Sequence, residues 1–291
     1  MTQPGEGAGR RSIVFSHANG FPSGTYERVF QHWREAGWRV IALPKIGHDS
    51  RYPVTSNWPH LRDQLLHFIE AQAHGPAYLV GHSLGGYLSV LAAARRPDLV
   101  RGVVLLDSPI LPSWMARTVQ FAKAAGIGER FSPGHVSKRR REHWPSVAAA
   151  RAHFAAKPVF ARWAEGVLDD YLACGLEASS QGQQLSFARR IETSIYNTLP
   201  DHLSRHLRAH PLRCPVAFIG GTQSAELKRV GIRVIQRVTH SRISMLQGTH
   251  LFPMELPQAT ADAVSHWLDA FATPAGASRP AQAGSTPLPL L

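Results

Sequence analysis

The chain has 291 residues, of which 44% are hydrophobic and 18% charged. That length fits one large domain or two modest ones and is ample for a buried core. The composition excludes wholesale disorder, and the lack of any 18-residue apolar run excludes a transmembrane helix. A formal net charge of +12 bears on solubility and on attraction of anions, not on a DNA-binding fold. Cys174 and Cys214 are too few for a disulfide framework and show no metal-ligand spacing, so they read as buried thiols. Residues Met1 to Ser12 are Gly-rich and basic with no apolar h-region, which argues against a secretory signal and for a cytoplasmic protein.

In chain order, Ser12 to Ala18 reads as a short buried strand, followed by a Gly/Pro turn from Asn19 to Gly24. Tyr26 to Ala36 has a helical pattern stopped by Gly37. Trp38 to Leu43 is strand-like and ends at Pro44, a helix is expected over Trp58 to Ala73, and Ala77 to Val80 is a strand. Leu84 to Arg95 is a helix stopped by Pro97, and Val100 to Leu106 is a strand. Apolar strands without strict alternation, joined by helices, suit a parallel sheet covered on both faces. From Pro112 to His210 no strand stands out, and the stretch reads as helical or irregular. It holds 14 Lys/Arg against 8 Asp/Glu, half the net positive charge of the chain. Alternation resumes with strands at Pro215 to Ile219 and Ile243 to Leu246. An amphipathic helix then spans Gln258 to Ala272, with Val264, Trp267, Leu268 and Phe271 at helical spacing. Beyond Thr273 the composition is Pro/Ala/Gly/Ser-rich and is expected to be disordered. Residues 12–111 and 211–272 therefore form a core and 112–210 an insertion, between flexible termini at 1–11 and 273–291.

Three segments carry chemistry. Gly81-His82-Ser83-Leu84-Gly85-Gly86 is a G-x-S-x-G between a strand and a helix. A strained strand-to-helix turn lifts the serine hydroxyl off the sheet, and small residues on either side avoid collision. The helix N-terminus directs free N–H groups at the site, and that of Leu84 is the natural oxyanion donor. Ser16-His17-Ala18-Asn19-Gly20-Phe21-Pro22, at the end of the first strand, suits a second oxyanion donor. Gly248-Thr249-His250-Leu251-Phe252-Pro253-Met254-Glu255 follows the last strand and places a histidine where it can take and return the serine proton. His17 and His82 sit inside other motifs and are expected to make structural hydrogen bonds.

These three segments, in this order, resemble the α/β-hydrolase superfamily, over nearly the whole core. The resemblance implies an eight-stranded, mostly parallel sheet, with helices on both faces and a helical cap at 112–210. It also implies a Ser–acid–His triad, with Ser83 as nucleophile, His250 as base and the N–H groups of Leu84 and Asn19 as oxyanion hole. In place of the more usual short H-G motif, this chain has His17-Ala18-Asn19-Gly20. The family most often places an Asp about three residues beyond a Gly after the strand that here reads PVAFIGG. Counted from Gly221, that position is Ser224, not a carboxylate. Two candidates for the acid remain, Asp107 at the end of VVLLDS and Glu226, and either can orient the imidazole. As ordinary structure, Asp107 would be an Asx turn before Pro109 and Glu226 a first-turn helix acid.

Other signals weigh less. His202, His206 and His210 recur at helical spacing, but with little beyond Asp201 to complete a metal site, so a solvated helix is expected. The Lys138-Arg139-Arg140-Arg141 run reads as a solvated face without the aromatic pattern of a nucleic-acid surface. The expected activity is hydrolysis of a small-molecule acyl substrate: a carboxylic ester, thioester or lactone. It needs no metal or organic cofactor, and neither nucleic acid nor membrane is an expected partner. Carbon–carbon hydrolysis and cofactor-free perhydrolysis on the same fold are alternatives, as is a non-catalytic binding protein; the missing Asp at the usual acid position is the feature pointing to the last.

Overall fold

The computed structural model describes residues 11–125, 132 and 134–273. The expected flexible termini at 1–11 and 273–291 thus fall outside the described residues, apart from Arg11 and Thr273. Six strands form one sheet: β1 (Ser12–Ser16), β2 (Arg39–Ala42), β3 (Ala77–His82), β4 (Val100–Leu106), β8 (Val216–Gly221) and β9 (Ile243–Leu246). Their spatial order is β2-β1-β3-β4-β8-β9, and every pairing is parallel. This is the doubly covered parallel sheet that the sequence suggested. It has six strands among the described residues, where the family resemblance implied eight.

Alternation along the strands divides the core in two. Val14, Leu79, Val103, Leu105 and Phe218 pack on one face with helices α2 (Pro59–Gln72) and α3 (Leu84–Arg95). Ile13, Phe15, Val80, Val104, Leu106 and Ile219 pack on the other. There they meet α1 (Glu27–Glu35) and the closing helix, through Val29, Phe30, Trp33, Val264 and Leu268. Buried on both faces, these strands lose the polar/apolar alternation of a half-exposed sheet. Burial of this apolar area from water is the main force holding the layers together.

After β4 the chain leaves the sheet and returns at β8. Between them lie α4 (Ser113–Ala124), α5 (Val147–Ala155), α6 (Val167–Gly175), α7 (Arg189–Asn197) and α8 (Leu203–Ala209). The expectation of no strands here is corrected: β5 (His143–Trp144), β6 (Leu176–Ser179) and β7 (Gly182–Leu185) form a small antiparallel sheet in the order β5-β7-β6. Ser179 pairs with Gly182, leaving Ser180 and Gln181 as a two-residue hairpin loop. The strands are short and mostly polar, so no apolar period marks them. Trp144, Phe154, Phe160, Trp163 and Tyr171 join the same core cluster as Phe15 and Trp33, which packs the inserted segment onto the sheet layer.

The basic run also departs from a solvated face. Arg140 turns inward, its guanidinium 2.9 Å from the Glu192 carboxylate and hydrogen-bonded to the Tyr171 hydroxyl. His202, beside α8, meets Asn57 Oδ1 at 2.8 Å, so that end of the histidine series is packed, not solvated. Cys174 and Cys214 are free and half-buried, not fully buried. After β8 come α9 (Ala225–Val230) and α10 (Arg233–Thr239), and α11 (Pro257–Ala272) is the closing helix. No helix among the described residues is long and apolar enough to cross a membrane.

Candidate active site

The C-terminal ends of β3, β4, β8 and β9 bring the candidate residues together. Ser83 directly follows β3, with φ 52° and ψ −112°, a conformation unusual for any residue but glycine. Its N–H donates to the Leu106 carbonyl at 2.9 Å. Such strain persists only where the surroundings over-determine it. Gly85 shows how tight they are: a Cβ there would lie 1.9 Å from the Ser16 carbonyl oxygen of β1. The chain therefore turns into α3 directly against the neighbouring strand. This leaves the Leu84 N–H, at the first position of α3, free of the helix's own hydrogen-bond ladder.

Asp107 ends the adjacent strand, also at positive φ (38°), and its side chain is fully buried. Its two oxygens have three donors. Oδ1 accepts from the Gly221 N–H at 3.0 Å. Oδ2 accepts from Ser224 Oγ at 2.5 Å and from His250 Nδ1 at 2.6 Å. A carboxylate this buried requires such satisfaction. Ser224 is itself fully buried and accepts from the Leu227 N–H at 3.0 Å, capping α9. The residue standing where the family usually has an acid thus donates to an acid supplied by the neighbouring strand. Glu226 is peripheral: its Oε2 is 3.9 Å from His250 Nδ1, and about half of its side chain is exposed.

The loop carrying His250 is held by its own segment. Glu255 accepts from the Thr249 N–H at 2.9 Å and from Thr249 Oγ1 at 2.5 Å. Gly221 lets this loop cross close by, since a Cβ there would meet the Thr249 carbonyl at 2.3 Å. With Nδ1–H donating to Asp107, the neutral imidazole keeps a bare Nε2 as proton acceptor. Burial lowers the pKa of His250, but the Asp107 hydrogen bond and the charges of Asp107 and Glu226 outweigh it, so the net shift is upward.

His82 and His17 make structural hydrogen bonds, as anticipated. His82 Nε2 donates to the His250 carbonyl at 2.9 Å, and its Nδ1 accepts from the Tyr26 hydroxyl at 2.8 Å. The same hydroxyl accepts from the Ala18 N–H at 3.1 Å. One buried chain of polar groups therefore ties the loop after β1, the serine turn and the histidine loop together. Burial, aided by the neighbouring His250 and opposed by the carbonyl bond, holds His82 well below the ordinary histidine pKa, and hence neutral. His17 Nε2 accepts from the Ile46 N–H at 2.8 Å while Nδ1 donates to the Ala18 carbonyl, also at 2.8 Å. Asn19 is buried, and its Nδ2 donates to the Glu192 carbonyl of α7 at 3.0 Å. The sequence offered no sign of the parts played by Tyr26 and Ser224, because both act through partners far away along the chain.

Asp107, Glu226 and His250 each offer a ligand atom within 4.8 Å of the others. The 2.6 Å between His250 Nδ1 and Asp107 Oδ2 is a hydrogen-bond distance, shorter than the ~3.3 Å between ligands of a tetrahedral zinc with bonds of about 2.0 Å. A cavity of about 1020 Å³ lies beside α7 and is lined by Lys123, Glu142 and Arg189 among others, with none of Ser83, Asp107 or His250 on its wall.

The model of the alpha/beta hydrolase family matches residues 13–263. The chain belongs to this family. Among similar proteins, the monoglyceride lipase of Rattus norvegicus is 33% identical over 112 residues, 36% of this chain and 37% of the lipase. The 2-(acetamidomethylene)succinate hydrolase of Mesorhizobium japonicum is 56% identical over 70 residues, 23% of this chain and 25% of that enzyme. The chain thus spans well under half the length of these relatives. The crystal structure of an E-2-(acetamidomethylene)succinate hydrolase superposes with a TM-score of 0.70 at 22% identity, covering 90% of this chain and 92% of that one. At that identity the likeness speaks for the fold alone.

Proposed function

We propose that this member of the alpha/beta hydrolase family is a serine hydrolase that cleaves a carboxylic ester, thioester or lactone through an acyl-enzyme. The observation that carries this reading is the 2.6 Å His250 Nδ1–Asp107 Oδ2 contact, made one strand away from a serine held in a strained turn at a helix N-terminus. That the relatives are named as a lipase and a hydrolase supports it.

In this mechanism Ser83 Oγ attacks the substrate carbonyl carbon as His250 Nε2 takes the hydroxyl proton. Asp107, hydrogen-bonded to Nδ1–H, stabilises the resulting imidazolium. The N–H groups of Leu84 and Asn19 stabilise the tetrahedral oxyanion. Collapse breaks the bond to the leaving group, which departs with the proton from His250. Water then gives a proton to His250 and attacks the acyl-serine. Breakdown of the second tetrahedral intermediate returns the proton to Ser83 Oγ and releases the acid. Asp107 is the acid on this reading and Glu226 a nearby charge, because only Asp107 is buried, triply hydrogen-bonded and within hydrogen-bond reach of Nδ1. The segment between β4 and β8 would act as the cap that selects the substrate.

A panel of p-nitrophenyl esters from acetate to palmitate, run on wild type and Ser83→Ala, tests the reading. Turnover of some chain length by wild type, nearly abolished in the variant, is the expected result. Equal rates for the two proteins would remove Ser83 from the mechanism. An inert wild type would favour the carbon–carbon hydrolase or the non-catalytic alternative.

A further inference from the structure

A second cavity, of about 640 Å³, lies against the loop after β1 and is lined in part by Phe21, Phe154 and Phe160. Its volume is in the range of small-molecule sites. The charged wall is unbalanced. Arg139, Arg140, Arg141 and Lys157 line it, with Glu192 as the one carboxylate among the described residues. Glu192 is committed to Arg140 at 2.9 Å. Lys157 is half-buried with its ammonium 5.4 Å from the Phe154 ring centre. No carboxylate among the described residues pairs with Arg139, Arg141 or Lys157. His153 also lines the cavity, and its Nε2 is buried without a hydrogen-bond partner. Burial, then the cations Lys157, Arg141 and Arg140, lower its pKa and keep it neutral. Burial and Arg140 likewise lower that of Lys157, as expected where cations crowd without counter-charge.

The cavity adjoins the candidate active site. Phe21 follows Asn19 and Gly20, and a Cβ on Gly20 would lie 3.1 Å from Arg140 Nη1 and from the Glu192 carboxylate. Tyr196, on the same wall, lies against the Asn19 side chain. Asn19 Oδ1 is buried with no partner. The unpartnered buried Nε2 of His153 on this cationic wall calls for a ligand that can satisfy it.

We propose that this cavity is a subsite for an anionic group on the substrate, a carboxylate held by Lys157 and Arg141 with His153 completing its hydrogen bonds, so that the enzyme prefers acyl substrates carrying a negative charge. The proposal rests on the serine hydrolase reading for its catalytic part. Guanidinium and ammonium groups on an apolar wall bind carboxylates through charge-assisted hydrogen bonds, strengthened by partial desolvation.

Substrates matched except for one charge provide the test. Mono-p-nitrophenyl glutarate is compared with p-nitrophenyl pentanoate, and 4-carboxyphenyl acetate with phenyl acetate, so charge on the acyl side and on the leaving group are read separately. At low ionic strength, kcat/KM should be about 10-fold or more higher for the anionic member of at least one pair, and the preference should shrink as salt rises. The ratio should fall toward one in the double variant Lys157→Met, Arg141→Gln. Arg139→Gln, at an exposed position, should lower it even if the double variant folds poorly. Ratios near one in both pairs, or ratios that all variants leave unchanged, overturn the proposal. If no ester is hydrolysed, the hydrolase reading fails first, and calorimetric titration with glutarate then decides the subsite. Binding at least about 10-fold tighter in wild type than in the variants supports it, and equal or absent binding overturns it.

Discussion

In the sheet, Ile13, Val14, Phe15, Leu79, Val80 and Val103 to Leu106 are all fully buried, and neighbouring strands pair in parallel, with one register shift between β3 and β4 at Ala77 and Tyr78. Between β4 and β8 the chain has two- and four-residue strands, and ion pairs join residues far apart in the sequence. Arg28 reaches Asp170, Lys123 reaches Asp201, Arg140 reaches Glu192 and Arg189 reaches Glu142. The contrast separates two tasks. Apolar layers place Ser83, Asp107 and His250 at adjoining strand ends. The charged insertion, in the proposed function, shapes what can approach them.

Breaking the sheet-end cluster should have the largest effect. Ser83→Ala should lower kcat by about 10⁵-fold or more on the preferred ester, as loss of a nucleophile does in comparable enzymes. Asp107→Asn should cost about 10³- to 10⁴-fold in kcat by favouring the wrong imidazole tautomer, with Ser83 still labelled slowly by a fluorophosphonate. On the insertion side, Arg140→Met leaves Glu192 largely buried without its cation. It should destabilise the protein by about 3 kcal/mol in denaturant titration. Adding Glu192→Met should recover much of that loss, because a non-polar pair has no unmatched charge; failure to recover would mean that the insertion depends on the ion pair itself.

Smaller changes sharpen the roles of the two carboxylates. Ser224→Ala removes one hydrogen bond to the Asp107 carboxylate and should lower kcat about 10-fold. Glu226→Gln should change kcat at its optimum by less than about threefold, because this charge is about half exposed to solvent. It should nevertheless move the pH profile. In the proposed mechanism the neutral imidazole is the active base, and because its pKa is raised, activity should be lost as pH falls through a value above the ordinary 6.5. Removing the Glu226 charge lowers that pKa and should shift the acid limb of kcat/KM to lower pH. An unmoved limb would mean that Asp107 alone sets the base.

The apolar runs VVLL and AYLV, the G-H-S-L-G-G turn and the bounds of α3, β4 and β9 were legible in the sequence, because each is specified by residues adjacent along the chain. The choice of acid was not. Asp107 and Glu226 lie 119 residues apart in the sequence, and nothing local tells a buried carboxylate from an exposed one. The polar hairpin of β6 and β7 escaped for a related reason: Gln183 and Gln184 become strand residues by pairing with Glu177 and Ala178 on one side and with His143 and Trp144 on the other. The inward turn of Arg140 likewise depends on Glu192, 52 positions later.

By itself, the sequence determined a parallel, doubly covered sheet and the strand-to-helix turn at Ser83, since burial on both faces and the steric demands of that turn are written into consecutive residues. Tertiary structure decided the rest. It set β4 beside β3 and β8, so that Asp107, Ser224 and His250 meet, and it folded a basic segment over the loop after β1. Those outcomes depend on which strand ends adjoin and which charges find partners, and both are properties of packing across the chain.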